Sequence, residues 1–398
     1  EETKKHLEKT DYIYVSHEHP DHFSPGFFFN KEYKAILEKN KTKILFQETK
    51  DKRVFNFLVK NGFEVIEVPN KKYITLKNSV KIKIVKFGYI DSALIIEGSK
   101  DKILNLNDCP LNDIDEIRKF KKEHGKFDLL LTQFSYAAWK GNEDNKGYRQ
   151  NAASDKIKTL INQYNILECK KVIPFASFIY FSNKLNKFMN DEINKPHLFQ
   201  ESLKSKIDSI ILAPGEEQYI SDLAQKQGSL DFWKNKYDMI NNLPLDTFDK
   251  SVDFETLKNE YTKYKNKILE INSKFLIYFS SKIKFLKFFQ PINIFLLDHK
   301  KYYEFSLIDG FKVTKNTNSD ISMHSESLLF IFKNDFGYDT LTVNGCFNAS
   351  KEGFIKTTRS FAIGSLNSMG LKLNLGLIFN YNLIFFFVKL LRKVSKKL

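Results

Sequence analysis

Cysteine is scarce in this chain of 398 residues: Cys109, Cys169 and Cys346 are all there are, with no C-x-x-C spacing. They cannot build a disulfide framework, so a reducing and by default cytoplasmic location is the simpler expectation. Arginine is scarcer than the net charge of +15 implies, because five Arg stand among 63 basic residues and scattered lysines supply the rest. A nucleic-acid binder tends to gather its cations on one face, with Arg for bidentate phosphate contacts. A solvated basic surface is therefore expected here, with no nucleic-acid partner.

Apolar runs of membrane-spanning length are also lacking. Residues 373–388 lie between Lys372 and Lys389 and include Asn374, Asn380 and Asn382, which falls short of the roughly 20 apolar residues a spanning helix needs. This segment reads as a core helix or as an interfacial one, since Arg392, Lys393, Lys396 and Lys397 follow it and suit anionic headgroups. Peripheral membrane contact through this apolar and basic segment is thus one candidate partner surface. The opening EETKKHLEKT holds no apolar run for a signal peptide and no initiator Met, so the sequence is expected to begin inside a longer protein. No internal repeat or low-complexity linker is visible.

What is present is core material. Hydrophobic residues make up 42% and aromatics 15%, enough to exclude disorder and to fill two domains or one large one. Residues 11–15 read as a short buried strand. Ser24 and Pro25 open a helix that runs on through Leu37. Strands are expected at 43–46, 64–68, 80–87, 92–97 and 103–106, then helix 113–123, strand 127–132, helix 154–164 and strand 171–175, an α/β alternation. From Ala213-Pro214-Gly215 the chain turns to long Lys-, Asn- and Phe-rich helical stretches, with strands expected at 328–332 and 340–343. The spacing places a domain boundary near 215, with a first domain at 1–215 and a helical and α+β extension at 216–398.

The chemistry is concentrated in Ser16-His17-Glu18-His19-Pro20-Asp21-His22, an H-x-H-x-D-H string where a buried strand ends and a capped helix begins. In an extended segment residues i and i+2 point the same way, so His17 and His19 can aim imidazole nitrogens at one ion, with Pro20 holding His19 extended. Beyond the turn, Asp21 and His22 can present an oxygen and a nitrogen to a second ion. Two adjacent cations lower the pKa of a bridging water and polarise a substrate oxygen. Asp21 can alternatively stay off the metal and handle protons. With 8 His in the chain, a chance match is on the order of 1 in 10⁴. His6, His124, His197, His299 and His324 show no metal spacing and read as surface or packing residues. Cys109 has no nearby base and reads as a small buried residue. Tyr136 and Trp139 are candidates to line the pocket mouth or to pack in the core.

This string resembles the signature of the metallo-β-lactamase superfamily, whose αββα sandwich carries H-x-H-x-D-H at a strand end. The resemblance implies a bridging aspartate after a later strand, which in Ile103-Leu104-Asn105-Leu106-Asn107-Asp108-Cys109 is Asp108. Residues 127–142 (FDLLLTQFSYAAWKGN), 173–178 (IPFASF) and 339–345 (DTLTVNG) look like the metallo-β-lactamase-fold part of the CMP-N-acetylneuraminate monooxygenase (hydroxylase) family. That family pairs the fold with a Rieske iron–sulfur module, and this sequence has no C-x-H or C-x-x-H pair to hold one. Where the superfamily has two further histidines, the chain offers residues 88–91 at the earlier position and Ser182-Asn183 at the later one, which leaves Asn183 as a weaker amide ligand or substrate contact. The superfamily also has strands ahead of the string, and about ten residues stand there, so the first domain is expected to be N-terminally incomplete.

The leading expectation is a metal-dependent hydrolase in which His17, His19, Asp21, His22 and Asp108 bind one or two Zn or Fe ions and activated water attacks an ester, amide or phosphodiester. The alternatives are an iron-dependent, oxygenase-related protein acting on a nucleotide sugar or surface glycan precursor with electrons from a separate partner, and a metal-poor binding protein with a degenerate site. The first two imply a small-molecule substrate.

Overall fold

The computed structural model describes residues 2–282 and 288–378. The apolar and basic C-terminal segment from residue 379 onward lies outside the described residues, and among those described no helix is long and apolar enough to cross a membrane. The chain divides into two compact units: Glu1–Tyr136, Gln150–Tyr180 and Glu192–Leu243 form the first, and Ala137–Arg149, Phe181–Asp191 and Pro244–Leu398 the second.

The first unit holds two sheets. Strands β1 (Tyr12–Val15), β2 (Lys43–Gln47) and β3 (Glu64–Val68) are parallel, with Tyr12 opposite Lys43 and Lys43 opposite Glu64. The second sheet runs in sequence order through β4 (Tyr73–Thr75), β5 (Lys81–Phe87), β6 (Asp91–Glu97), β7 (Lys102–Asn107), β8 (Leu129–Thr132) and β9 (Lys171–Pro174). Its first four strands pair antiparallel and its last three parallel. The alternation of Ile and Lys along β5 does what alternation should: Ile82 and Ile84 are buried while Lys81 faces water.

Three apolar clusters fix the layers. Leu45, Val68, Ile82, Ile84 and Leu94 pack together from both sheets, so the sheets lie face to face. On the outer side of the first sheet, Ile44 and Phe46 meet Leu37 and Leu58 from helices Lys31–Asn40 and Arg53–Lys60. On the outer side of the second, Leu104 and Leu130 meet Ile117, Leu160 and Phe199 from helices Ile114–His124, Lys146–Ile166 and Pro196–Leu203. The order helix, sheet, sheet, helix is the αββα sandwich expected from the sequence.

The second unit is α+β. A mixed five-stranded sheet in the order β12 (Gly310–Val313), β11 (Lys301–Ser306), β10 (Ile292–Leu296), β13 (Ile321–Met323), β14 (Phe347–Ala349) is accompanied by helices Phe254–Ile271, Ser325–Lys333 and Lys351–Ser368. Two sequence expectations fail here. Residues 328–332 and 340–343, read as strands, lie in helices Ser325–Lys333 and Gly337–Asn344. Short apolar runs do not distinguish the two states by periodicity. What decides is local: Leu328, Ile331 and Phe332 bury one helical face, the His324 ring accepts from the Glu326 N–H at the first end, and Gly345 at φ 68° closes the second helix. The helix expected through 24–37 is likewise split, because Asn30 leaves helical backbone and caps Glu32 and Tyr33 with its side-chain oxygen.

His124, at the end of helix Ile114–His124, packs its ring 4.4 Å from that of Phe120, and neither ring nitrogen has a hydrogen-bond partner among the described residues. Burial, with the charge of Lys83 second, pushes its pKa down to about 4. The fold thus favours the neutral ring. Its contribution is intact above about pH 6.5, the unfolded value, and is lost as pH falls towards 4. Urea titrations should show a destabilisation of about 2 kcal/mol from this group between pH 7.5 and pH 5, and His124→Phe should flatten the profile by that amount. An unchanged slope in the variant would show that the ring is hydrated or paired in solution.

Candidate metal centre

The site forms where the two sheets of the first unit bring their strand ends together. β1 ends at Val15, and Ser16 carries the chain into the histidine string. The Ser16 carbonyl accepts from Ser92 Oγ at 2.6 Å and from Gln47 Nε2 at 3.3 Å, so the turn is tied to β6 and β2. His17 and His19 point to the same side, with His17 Nε2 and His19 Nδ1 2.9 Å apart. Glu18 points away and meets Arg53 Nη2 at 2.6 Å. His22 follows one turn later, its ring centroid 4.0 Å from that of His17.

Ser16 Oγ lies 3.1 Å from both His17 Nδ1 and His22 Nδ1. One hydroxyl cannot donate twice, so at least one of the two rings must donate to it. In the tautomer that leaves Nε2 free for a metal, the Nδ1–H groups of His17 and His22 both point at Ser16 Oγ, which can accept from each. The far nitrogens are thereby aimed inward, where His22 Nε2 is 3.3 Å and His17 Nε2 is 3.8 Å from Asp108 Oδ2.

Asp108 is delivered by a backbone irregularity. The pairing of β7 with β8 slips between Asn105 and Asn107, and Asn107 adopts φ 42°, a left-handed conformation that Asn tolerates better than most residues. Asn107 Nδ2 donates to the Ser92 carbonyl at 3.1 Å and holds the bend. Asp108 then turns in, and its Oδ1 is buried with no hydrogen-bond partner among the described residues. A buried carboxylate oxygen without a donor is costly unless a cation faces it.

A fifth donor escaped sequence reasoning. Asp91, the first residue of β6, has Oδ1 3.8 Å from His17 Nε2. It belongs to residues 88–91, the stretch in which the resemblance implied a histidine. The usable signal was the carboxylate itself, because a search restricted to imidazole passes over an equally able oxygen ligand. Two donor sets result, His17, His22 and Asp108 in one and His17, His19 and Asp91 in the other, each with ligand atoms within 4.8 Å of one another.

Electrostatics divides the groups. His17 is fully buried, and desolvation, with opposing help from Asp108, brings its pKa down to about 3, so the ring is neutral and ligand-competent. Burial and then the charge of Asp108 push Asp91 up to about 7. Burial alone would raise Asp108, but the hydrogen bond and charge of His22 outweigh it and hold Asp108 below the usual carboxylate range. The same contacts overcome burial at His22 and raise it. Burial drives the Cys109 thiol far above its ordinary value, which agrees with a packing role.

The other sequence candidates belong to neither donor set of this cluster. Asp21 sits at its rim, 71% exposed, with Oδ2 3.5 Å from His22 Nε2. Tyr136 is buried in the first unit. Trp139 belongs to the second unit, where it packs between Phe347 and Phe354 with ring centroids at 4.9 and 4.7 Å. Asn183, also in the second unit, uses its side-chain oxygen to accept from the Leu185 N–H at 2.9 Å.

No family model matches the sequence. Over 142 residues, 33% of the chain, it is 28% identical to a Mycolicibacterium smegmatis protein that carries a Rieske 2Fe-2S iron–sulfur name, and the match covers 26% of that protein. The chain thus spans about a quarter of the length of this curated relative. Among solved structures it is similar to CmlA, a diiron β-hydroxylase from Streptomyces venezuelae, at 15% identity over 51% of this chain and 44% of that one with a TM-score of 0.32. It is also similar to YhfI, a metallo-β-lactamase fold protein from Bacillus subtilis, at 14% identity over 43% of this chain and 65% of that one with a TM-score of 0.31.

Proposed function

We propose that this chain is a metal-dependent enzyme of metallo-β-lactamase type in which His17, His19, His22, Asp91 and Asp108 hold one or two divalent ions. Its reaction is hydrolysis of an ester, amide or phosphodiester. The observation that carries this reading is the buried Asp108 Oδ1, left without a donor beside a neutral His17. Solvent-filled surface loops do not leave a carboxylate oxygen in that state. The donor set is chemically apt: neutral imidazole nitrogens and carboxylate oxygens bind both zinc and iron.

A bound Zn or Fe ion supplies a water acidified towards neutral pH and polarises a substrate oxygen. The chain's own residues do the rest. Ser16 fixes the tautomers and the aim of His17 and His22. The sheets exclude water from His17, which keeps its ring neutral. Asp21, with its carboxylate in solvent and Oδ2 against His22, is placed to take a proton from the attacking water and pass it to the leaving group.

An iron-dependent, oxygenase-related activity on a nucleotide sugar or glycan precursor is the second reading. Asp91 favours it by making the donor set richer in oxygen, which shifts preference from zinc towards iron. The Rieske name of the curated relative supports it, and because these 398 residues hold no Cys-His pairs, electrons would reach the site from outside this stretch of sequence.

Elemental analysis of protein purified without added metal tests both readings against a degenerate binding site. Near-stoichiometric zinc or iron is expected in the wild type. His19→Ala and Asp108→Ala should lose most of it, and Asp91→Asn should weaken metal affinity by about tenfold or more. Metal-free wild-type protein would leave the binding-protein reading standing. Asp21→Asn should keep fold and metal while turnover falls by about 10² to 10⁴, and unchanged turnover would remove Asp21 from the chemistry. Turnover that persists without oxygen favours hydrolysis, and turnover that stops favours the oxygenase.

A further inference from the structure

One cation stands beside the cage on an element the cage does not use. In the sheet Asn107 pairs with Thr132, so the residues that follow, Asp108 and Gln133, leave β7 and β8 side by side. Gln133 Oε1 accepts a hydrogen bond from Lys156 Nζ, contributed by helix Lys146–Ile166. The amide therefore draws the ammonium in towards the strand end that presents Asp108. Burial works against the charge of Lys156 and lowers its pKa from the ordinary value, and the Asp108 carboxylate acts in the opposite sense. The side chain is only partly accessible, and among the described residues its ammonium makes no ion pair.

That placement is unusual for lysine on this protein. Its lysines mostly sit in solvent or pair with a carboxylate, as Lys43 does with Glu64 and Lys170 with Asp128. An ammonium drawn out of water and held by a neutral amide keeps two donors unspent and a full charge uncancelled at contact range. Next to a cage of carboxylates and imidazoles, such a group offers what the cage lacks, an attraction for negative charge on the substrate.

We propose that Lys156 is the anion anchor of this site, and that the substrate carries a carboxylate or a phosphate which binds Nζ while its reacting group sits on the cage. This rests on the reading of the cage as a metal centre. It narrows the substrate to an anionic ester, amide, phosphodiester or glycan precursor. Gln133 is a positioning residue that sets where the ammonium stands.

The test is calorimetric titration of inorganic phosphate and, separately, acetate into wild type, Lys156→Gln and Lys156→Arg. Each protein is used both zinc-loaded and stripped by chelator, with metal content measured alongside. Lys156→Gln should keep wild-type metal content and melting temperature yet bind one of the two anions about tenfold or more weakly. Lys156→Arg should recover affinity to within about threefold. A loss confined to phosphate marks a phosphoryl substrate, and one confined to acetate a carboxylate. Wild-type affinity for both anions in Lys156→Gln, or no measurable anion binding by the wild type in either metal state, overturns the anchor. So does loss of metal in Lys156→Gln, which would make the residue a support of the cage. Metal-free wild-type protein would sink the cage reading separately, since Lys156-dependent binding is still read in the stripped protein.

Discussion

The geometry of the cage depends on Ser92. It is fully buried near the start of β6, and it ties three chain segments that meet nowhere in sequence. Its hydroxyl donates to the Ser16 carbonyl and so fixes where the histidine string leaves β1. Its carbonyl accepts from Asn107 Nδ2, which holds the left-handed bend that turns Asp108 inward. The Tyr14 hydroxyl closes the group, 2.9 Å from the Ser92 carbonyl and 2.7 Å from its Oγ. Asp91 precedes Ser92 directly. Every donor except His22, beyond the turn, is therefore positioned relative to one buried serine, and a buried hydrogen-bond network of this kind is stiff because each bond broken carries a full desolvation cost.

Much of this was visible in the sequence because the most informative part of the site is local. His17 and His19 lie two residues apart in extended chain, and Glu18 between them faces the other way to Arg53, as alternation requires. The layers were legible for a similar reason: apolar runs bounded by polar turns place β5 to β8 wherever the sandwich needs them. What was not legible comes from long-range pairing. Asp91 reaches His17 across 74 positions of chain because β1 and β6 end at the same edge, and no spacing rule contains that information. Lys156 is hidden more deeply still, being one of many lysines until the β7 to β8 register sets Gln133 beside Asp108. The misread strands at 328–332 and 340–343 failed in the opposite direction, since capping by His324 and Gly345 outweighed a β-rich composition.

Asp91 brings a second carboxylate into the cluster beside Asp108. Two carboxylates in one dry cavity repel, and the repulsion adds to burial in raising Asp91. His22 answers by taking positive charge and pairing with Asp108, so the apo cage stores one internal ion pair and one carboxyl that resists ionisation. A dication held by these residues would relieve both, compensating the second carboxylate and taking the place of the proton on His22. Compared with an all-imidazole set, such a cage would gain more from an ion's charge and less from ligand softness, a balance that suits the harder end of the first transition row. The same accumulation of negative charge explains why a cation should be kept near without touching it. Lys156, hydrogen-bonded to the Gln133 amide, offsets the field of the carboxylates without forming the ion pair that would cancel its own attraction for an incoming anion.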